Sequence, residues 1–232
     1  MAEQSFHIVF ALFPGVTQLD FTGPHQVFSR WPGARITLAS AAGGAITADG
    51  ITFANLARLR DVASCDLICV PGGEGVTEAI LHDEFMREIA RLARSAQFVT
   101  SVCSGSLALG AAGLLQGKRA ACHWAWRDLL LPFGAIVDEA RVVRDGNIVT
   151  GGGVTAGVDF ALAIIGMVSG QAAAEEVQLR IEYAPAPPHH AGRPEMAPVA
   201  VVSAVKARIL ATQPKRLKAV QQAAQRLKAA AT

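Results

Sequence analysis

The sequence predicts an α/β domain in which a mainly parallel sheet is covered by helices on both faces. Short apolar runs rich in β-branched residues recur at 7–13, 67–70 and 98–102; strands without polar alternation are those buried on both faces. Longer stretches with helical patterning separate these runs, the alternation that builds parallel sheets. Turn signals stand where the strands end: Pro14-Gly15, Pro71-Gly72-Gly73 and Ser104-Gly105. At 232 residues, with 51% hydrophobic and 17% charged residues, the chain is long enough to bury a sizeable core and too apolar for a disordered segment.

Residues 7–13 are expected to form the first strand. Asp20 is placed in the loop that follows, and Pro24 in the first turn of a helix reaching about Trp31, where Pro32-Gly33 stops it. Residues 36–39 read as the second strand, and Gly43-Gly44 and Asp49-Gly50 around Ile46 and Ile51 predict a hairpin-like excursion. The third strand, 67–70, leads into Pro71-Gly72-Gly73-Glu74-Gly75, backbone that lets a ligand come close. Helical patterning over 76–95, broken near His82-Asp83, precedes a strand at 98–102. Ser104-Gly105-Ser106 then opens a helix through Leu109, with stops at Gly113 and Gly117. Residues 141–144 and 148–150, joined by Asp145-Gly146-Asn147, predict a late hairpin. Gly151-Gly152-Gly153 leads into helices over 154–168 and 172–181, and Pro185, Pro187 and Pro188 read as an ordered extended crossing.

Several classes are set aside. Residues 1–6 lack the basic-then-apolar pattern of a secretory leader, and no apolar run reaches membrane-spanning length, so a cytoplasmic protein without membrane contact is expected. There is no dinucleotide glycine fingerprint, phosphate-binding lysine loop or internal repeat. Cys65, Cys69, Cys103 and Cys122 are expected as free thiols; Cys65 and Cys69 read as buried structural residues, far in sequence from the nearest histidines and therefore not as a metal site. From residue 197 onward there are seven basic and no acidic residues, against fourteen basic and 19 acidic before it. Val202, Val205 and Ile209, then Leu217, Val220 and Leu227, recur at helical spacing there. This basic extension, 196–232, is expected to pack on the 1–195 domain or on a dimer partner rather than to bind nucleic acid.

Ligands of a parallel sheet bind beyond the carboxyl ends of its strands, where Asp20, the Gly72-Gly73 loop and Cys103 all fall. Ser101-Val102-Cys103-Ser104-Gly105 has the strand–nucleophile–helix layout of a nucleophile elbow, with sulfur in place of a serine oxygen. The following helix is expected to favour thiolate over thiol, and the N–H groups of Ser104 and of the glycine loop to face developing negative charge. The residues alone leave open whether Cys103 is a nucleophile or a small buried core residue, and whether Asp20 is an acid or a helix cap. His25, His82, His123, His189 and His190 read as surface or core residues.

Five runs carry a resemblance: Gln18-Leu19-Asp20-Phe21-Thr22-Gly23-Pro24; Val70-Pro71-Gly72-Gly73; Val99-Thr100-Ser101-Val102-Cys103-Ser104-Gly105-Ser106; His123-Trp124; and Glu182-Tyr183-Ala184-Pro185-Ala186-Pro187-Pro188. Together, over about residues 10–194, the chain resembles the DJ-1/PfpI (ThiJ) superfamily. Within that superfamily it looks most like the branch whose enzymes hydrate isonitriles (isocyanides), a branch that also contains ligand-sensing halves of AraC-type regulators. The resemblance implies a flavodoxin-like sandwich, a homodimer and a small-molecule isocyanide substrate, with no cofactor and no metal. It assigns Cys103 as nucleophile, Asp20 as its acid/base partner and a supporting role to Ser104, with Gly72, Gly73, Gly152 and Val154 around the substrate. Two positions depart from the isonitrile-hydrating pattern: Ser104 replaces threonine and Val154 replaces isoleucine. Rival readings of the same cysteine are a glyoxalase- or deglycase-like enzyme and a non-enzymatic thiol sensor. A PfpI-type peptidase would place histidine directly after the cysteine, and an AraC-type DNA-binding half would need far more chain than follows Pro194.

Overall fold

The computed structural model describes residues 5–230; the expectations for residues 1–4 and 231–232 lie outside it. In chain order the elements are β1 (Phe6–Ala11), α1 (Gln18–Phe28), β2 (Ala34–Ser40), β3 (Gly44–Ala48), β4 (Ile51–Arg58), β5 (Leu67–Val70), α2 (Val76–Ala79), α3 (Asp83–Ala93) and β6 (Phe98–Val102). There follow α4 (Ser106–Ala111), β7 (Arg119–Ala120), β8 (Ile136–Val137), β9 (Val142–Asp145), β10 (Ile148–Gly151), α5 (Ala156–Ser169), α6 (Gln171–Arg180), α7 (Val199–Leu210) and α8 (Gln213–Ala230).

Eight strands form one sheet in the order β3-β4-β2-β1-β5-β6-β10-β9. All neighbours pair in parallel except the two edge hairpins, β3 with β4 and β9 with β10. The α/β reading and both hairpins are therefore observed. β5 and β6 lie at the centre and are buried at every position, which is why their sequences carry no polar alternation. Helices α1 and α5 cover one face, while α3 and α4 cover the other. The strand order reverses at β1, whose neighbours β2 and β5 lead the chain to opposite sides. A crevice opens at such a switch point beyond the carboxyl ends of the strands.

Two expectations are corrected here. Asp20 is not in a loop: α1 begins at Gln18, so Asp20 lies in its first turn and Pro24 in its interior. A proline there removes one backbone hydrogen bond. Close packing from α5 accompanies it: a Cβ on Gly157 would lie only 2.8 Å from Pro24 Cδ, so glycine lets the two helices approach. The second correction concerns the tail. On α7, Val202, Val205 and Ile209 are half-buried between exposed neighbours, as their spacing implies. On α8, however, Leu217 is exposed, and the buried face is made by Arg216, Ala219, Val220, Ala223 and Ala224. Small alanines let α8 lie close against α2, α4 and the turn at Arg127–Phe133 of its own chain.

Candidate active site

Three strand ends build the site. After β6 the backbone turns sharply at Cys103, whose φ of 58° is left-handed, a conformation costly for any residue with a Cβ. The chain makes a single 3-10 turn over Cys103–Gly105 before α4 starts. Gly105 permits this elbow to close, since a Cβ there would stand 2.0 Å from the Val70 carbonyl oxygen. After β1, Asp20 is wholly buried, and its Oδ2 accepts the Gly72 N–H at 2.9 Å. After β5, the Gly73 N–H donates to Ser104 Oγ at 3.1 Å. Gly72 is as tightly enclosed as Gly105: a Cβ would lie 2.4 Å from the Ser104 nitrogen and 3.0 Å from Asp20 Oδ2.

Asp20 and Cys103 therefore meet at the crevice. Burial, opposed by the Gly72 N–H and by Cys103, raises the Asp20 carboxyl from 3.8 to about 7. Asp20 Oδ1 is buried without a partner in hydrogen-bond geometry, yet carboxyl and thiol stand close enough to shift each other's ionisation. Burial, then the neighbouring Asp20 and Cys122, push the Cys103 thiol well above its ordinary value, against a smaller lowering by the Ser104 N–H. Burial and the neighbouring carboxyl group thus act against the thiolate that the six-residue helix after Cys103 was expected to favour. The two groups titrate as a unit that resists holding two negative charges at once.

Cys103 and Ser104 open into a cavity of about 340 Å³ shared with Thr17, Gly73, His123, Trp126, Val154 and the tail residues Val205, Arg208, Ile209, Thr212 and Arg216. A larger and mostly apolar cavity, about 610 Å³, lies between Leu12, Ser40, Ile46, Glu78, His82 and Phe85, and no cysteine lines it. Of the residues expected around the substrate, Gly73 and Val154 line the Cys103 cavity, while Gly152 lines an adjoining one with His123 and Val154. The Gly72 and Gly73 N–H groups, expected to face developing charge, already bond Asp20 and Ser104. The Ser104 hydroxyl faces the Gly73 backbone, which holds the glycine loop against the elbow. Cys65, Cys69 and Cys122 are buried free thiols pushed up to about 12 by burial. Among the described residues no cluster of three or more His, Cys, Asp or Glu is arranged to hold a metal ion, and no helix is long and apolar enough to cross a membrane.

Two contributors were not singled out from the sequence. His123, read as a surface or core residue, lines the cavity; its Nδ1 accepts the Ala125 N–H at 3.3 Å, leaving Nε2 as the donor. Its adjacency to Trp124 within a motif run was the available signal. Arg216 sits among basic neighbours in Lys215-Arg216-Leu217-Lys218, and only the alanines at 219 and 223, on the same helical face, mark it as inward.

A doubly covered parallel sheet carrying a cysteine elbow against a buried carboxyl group defines the class of protein. Residues 6–167 match the DJ-1/PfpI family, and the chain belongs to it. It is 45% identical over 224 residues to isonitrile hydratase of Pseudomonas putida, covering 96% of this chain and 98% of that one. Among solved structures, a ThiJ/PfpI family protein from Pseudomonas syringae superposes with a TM-score of 0.89 at 38% identity, over 95% of this chain and 90% of that one. Drosophila melanogaster DJ-1beta, at 22% identity and a TM-score of 0.69 over 78% of this chain and all of its own, shares the fold.

Proposed function

We propose that this protein is an isonitrile hydratase, converting an isocyanide to the N-substituted formamide through Cys103. The observation that carries the reading is the buried Cys103–Asp20 pair at the base of an open cavity; the likeness to the Pseudomonas putida enzyme along nearly the whole chain supports it. Isocyanide carbon is a poor target for neutral water and a good one for a soft sulfur nucleophile. As sulfur bonds to that terminal carbon, the Asp20 carboxylate takes the thiol proton and returns it to the same carbon, giving a thioimidate. Water then adds across the C=N bond: hydroxyl joins carbon, and a proton reaches nitrogen through Asp20. The C–S bond breaks as the carbonyl forms, the hydroxyl proton returns to sulfur by way of Asp20, and the formamide leaves. Every proton is accounted for by substrate, water and the two side chains, so the scheme calls on no cofactor. Thr17, His123 and Trp126 shape the cavity, and the Val154 side chain, smaller than isoleucine, widens it next to Cys103. The same reading makes the enzyme a cytoplasmic homodimer.

The test is incubation with an aromatic isocyanide while formamide is followed, with Cys103→Ala as control. Turnover by the parent chain and none by the variant is the expected result. No formamide from the parent chain overturns the reading.

A further inference from the structure

Arg216 is 4% exposed, an unusual place for a guanidinium. Three contacts pin it: Nε donates to Thr77 Oγ1 at 3.1 Å, and one terminal nitrogen donates to the Gly73 carbonyl at 3.1 Å and the Glu74 carbonyl at 3.3 Å. Its plane lies over the Trp126 ring, 4.2 Å from the centroid. All of these partners are neutral. Among the described residues no carboxylate forms an ion pair with it; Glu78, which is near, pairs instead with Lys215. Burying a cation is costly unless an opposite charge compensates it. Arg216 lines the same cavity as Cys103 and Glu74; Cys103, Cys122, Glu74 and Glu78 favour its charged form, and it in turn lowers the titration of its neighbours Cys122 and His123.

We propose that Arg216, delivered by α8, is a positioning residue that supplies the counter-charge for the single negative charge held by Cys103 and Asp20. The extension beyond residue 196 is then part of the active site. Its helix places one cation on the wall of the cavity that Cys103 lines, and the Arg216 bond to the Gly73 carbonyl ties that cation to the loop whose neighbouring N–H holds Asp20. The charged or titratable groups around the arrangement are Asp20 on α1, Glu74 and Glu78 at α2, Cys122, His123 and Arg127 in the segment after β7, and Arg208 on α7. Arg208 and Arg127 carry the same sign as Arg216 but lack its direct hold on the glycine loop. The inference rests on reading Cys103 as the nucleophile and is independent of the identity of the substrate.

The experiment is the pH dependence of Cys103 alkylation by iodoacetamide, read at that residue by peptide mass spectrometry, in the parent chain, Arg216→Gln and Arg216→Lys. Removing a nearby cation disfavours the negative charge. The titration midpoint of Arg216→Gln should therefore rise by about one unit, making alkylation about tenfold slower at any pH below both midpoints. Arg216→Lys should recover most of the loss, and the acid limb of kcat/KM should move in parallel. An unchanged midpoint in a folded Arg216→Gln overturns the proposal. If that variant does not fold, the parent chain decides by comparing iodoacetate with iodoacetamide. A facing cation should lift the relative rate of the anionic reagent above that of a cysteine in a short peptide; a ratio no higher than the peptide's overturns it. Since alkylation needs no isocyanide, this result is separate from failure of the formamide assay.

Discussion

Burial of Asp20 has two consequences that can be measured separately. Its carboxyl is raised from 3.8 to about 7, so the folded state keeps a proton that the unfolded chain releases at lower pH. The associated stability is full below about pH 4 and is lost as pH rises through 7, a change on the order of 4 kcal/mol. Asp20→Asn should remove that slope: between pH 5 and pH 8 its melting temperature should fall less than that of the parent chain. In catalysis the sign is opposite, because the proton acceptor is the carboxylate, and kcat/KM should decline as pH falls below about 7. Asp20→Asn should lower turnover by about 10²–10⁴-fold, the usual contribution of general acid/base help; near-normal rates would remove Asp20 from the mechanism. Asp20, Gly73 and Cys103 were legible because each follows a strand end, and strand ends converge in a parallel sheet. The raised Cys103 thiol was not, since burial depends on which distant segments close over it.

At the scale of elements, close backbone approaches hold the site together. α1 carries Asp20 and is seated on α5 through Pro24 and Gly157. Gly157→Ala puts a methyl 2.8 Å from Pro24 Cδ, overpacking that typically costs about 1–3 kcal/mol. Urea titration should register the loss, and activity should fall with it as α1 moves Asp20 away from Gly72. Gly72→Ala should be worse for function than for stability, because the clash falls on Ser104 and Asp20 themselves. The central strands were readable from unbroken apolar runs, and both hairpins from their Gly-Gly, Asp-Gly and Asp-Gly-Asn turns. The start of α1 was misjudged because Pro24 is a common first-turn residue. Its place in the interior goes with a tertiary fit that the local sequence does not show, the ring lying close against Gly157 of α5.

Over the whole molecule, the chain returns on itself to finish what its first half begins. The switch point at β1, β5 and β6 supplies a cysteine and a carboxyl group; α7 and α8 supply a wall and a buried cation more than 100 residues later. The basic character of the tail and its packing face were visible in the sequence, whereas the exact residues turned inward were not: Leu217 looked inward by hydrophobicity, and Arg216 takes the buried position. Sedimentation equilibrium should give twice the chain mass if the proposed homodimer forms. A covalent bond between Cys103 and the isocyanide carbon can be caught by rapid-quench intact-mass measurement. During turnover of an aromatic isocyanide the chain should gain, transiently, the full substrate mass, mapped to Cys103 and absent in Cys103→Ala. Formamide production with no adduct at Cys103, or undiminished in Cys103→Ala, would contradict it.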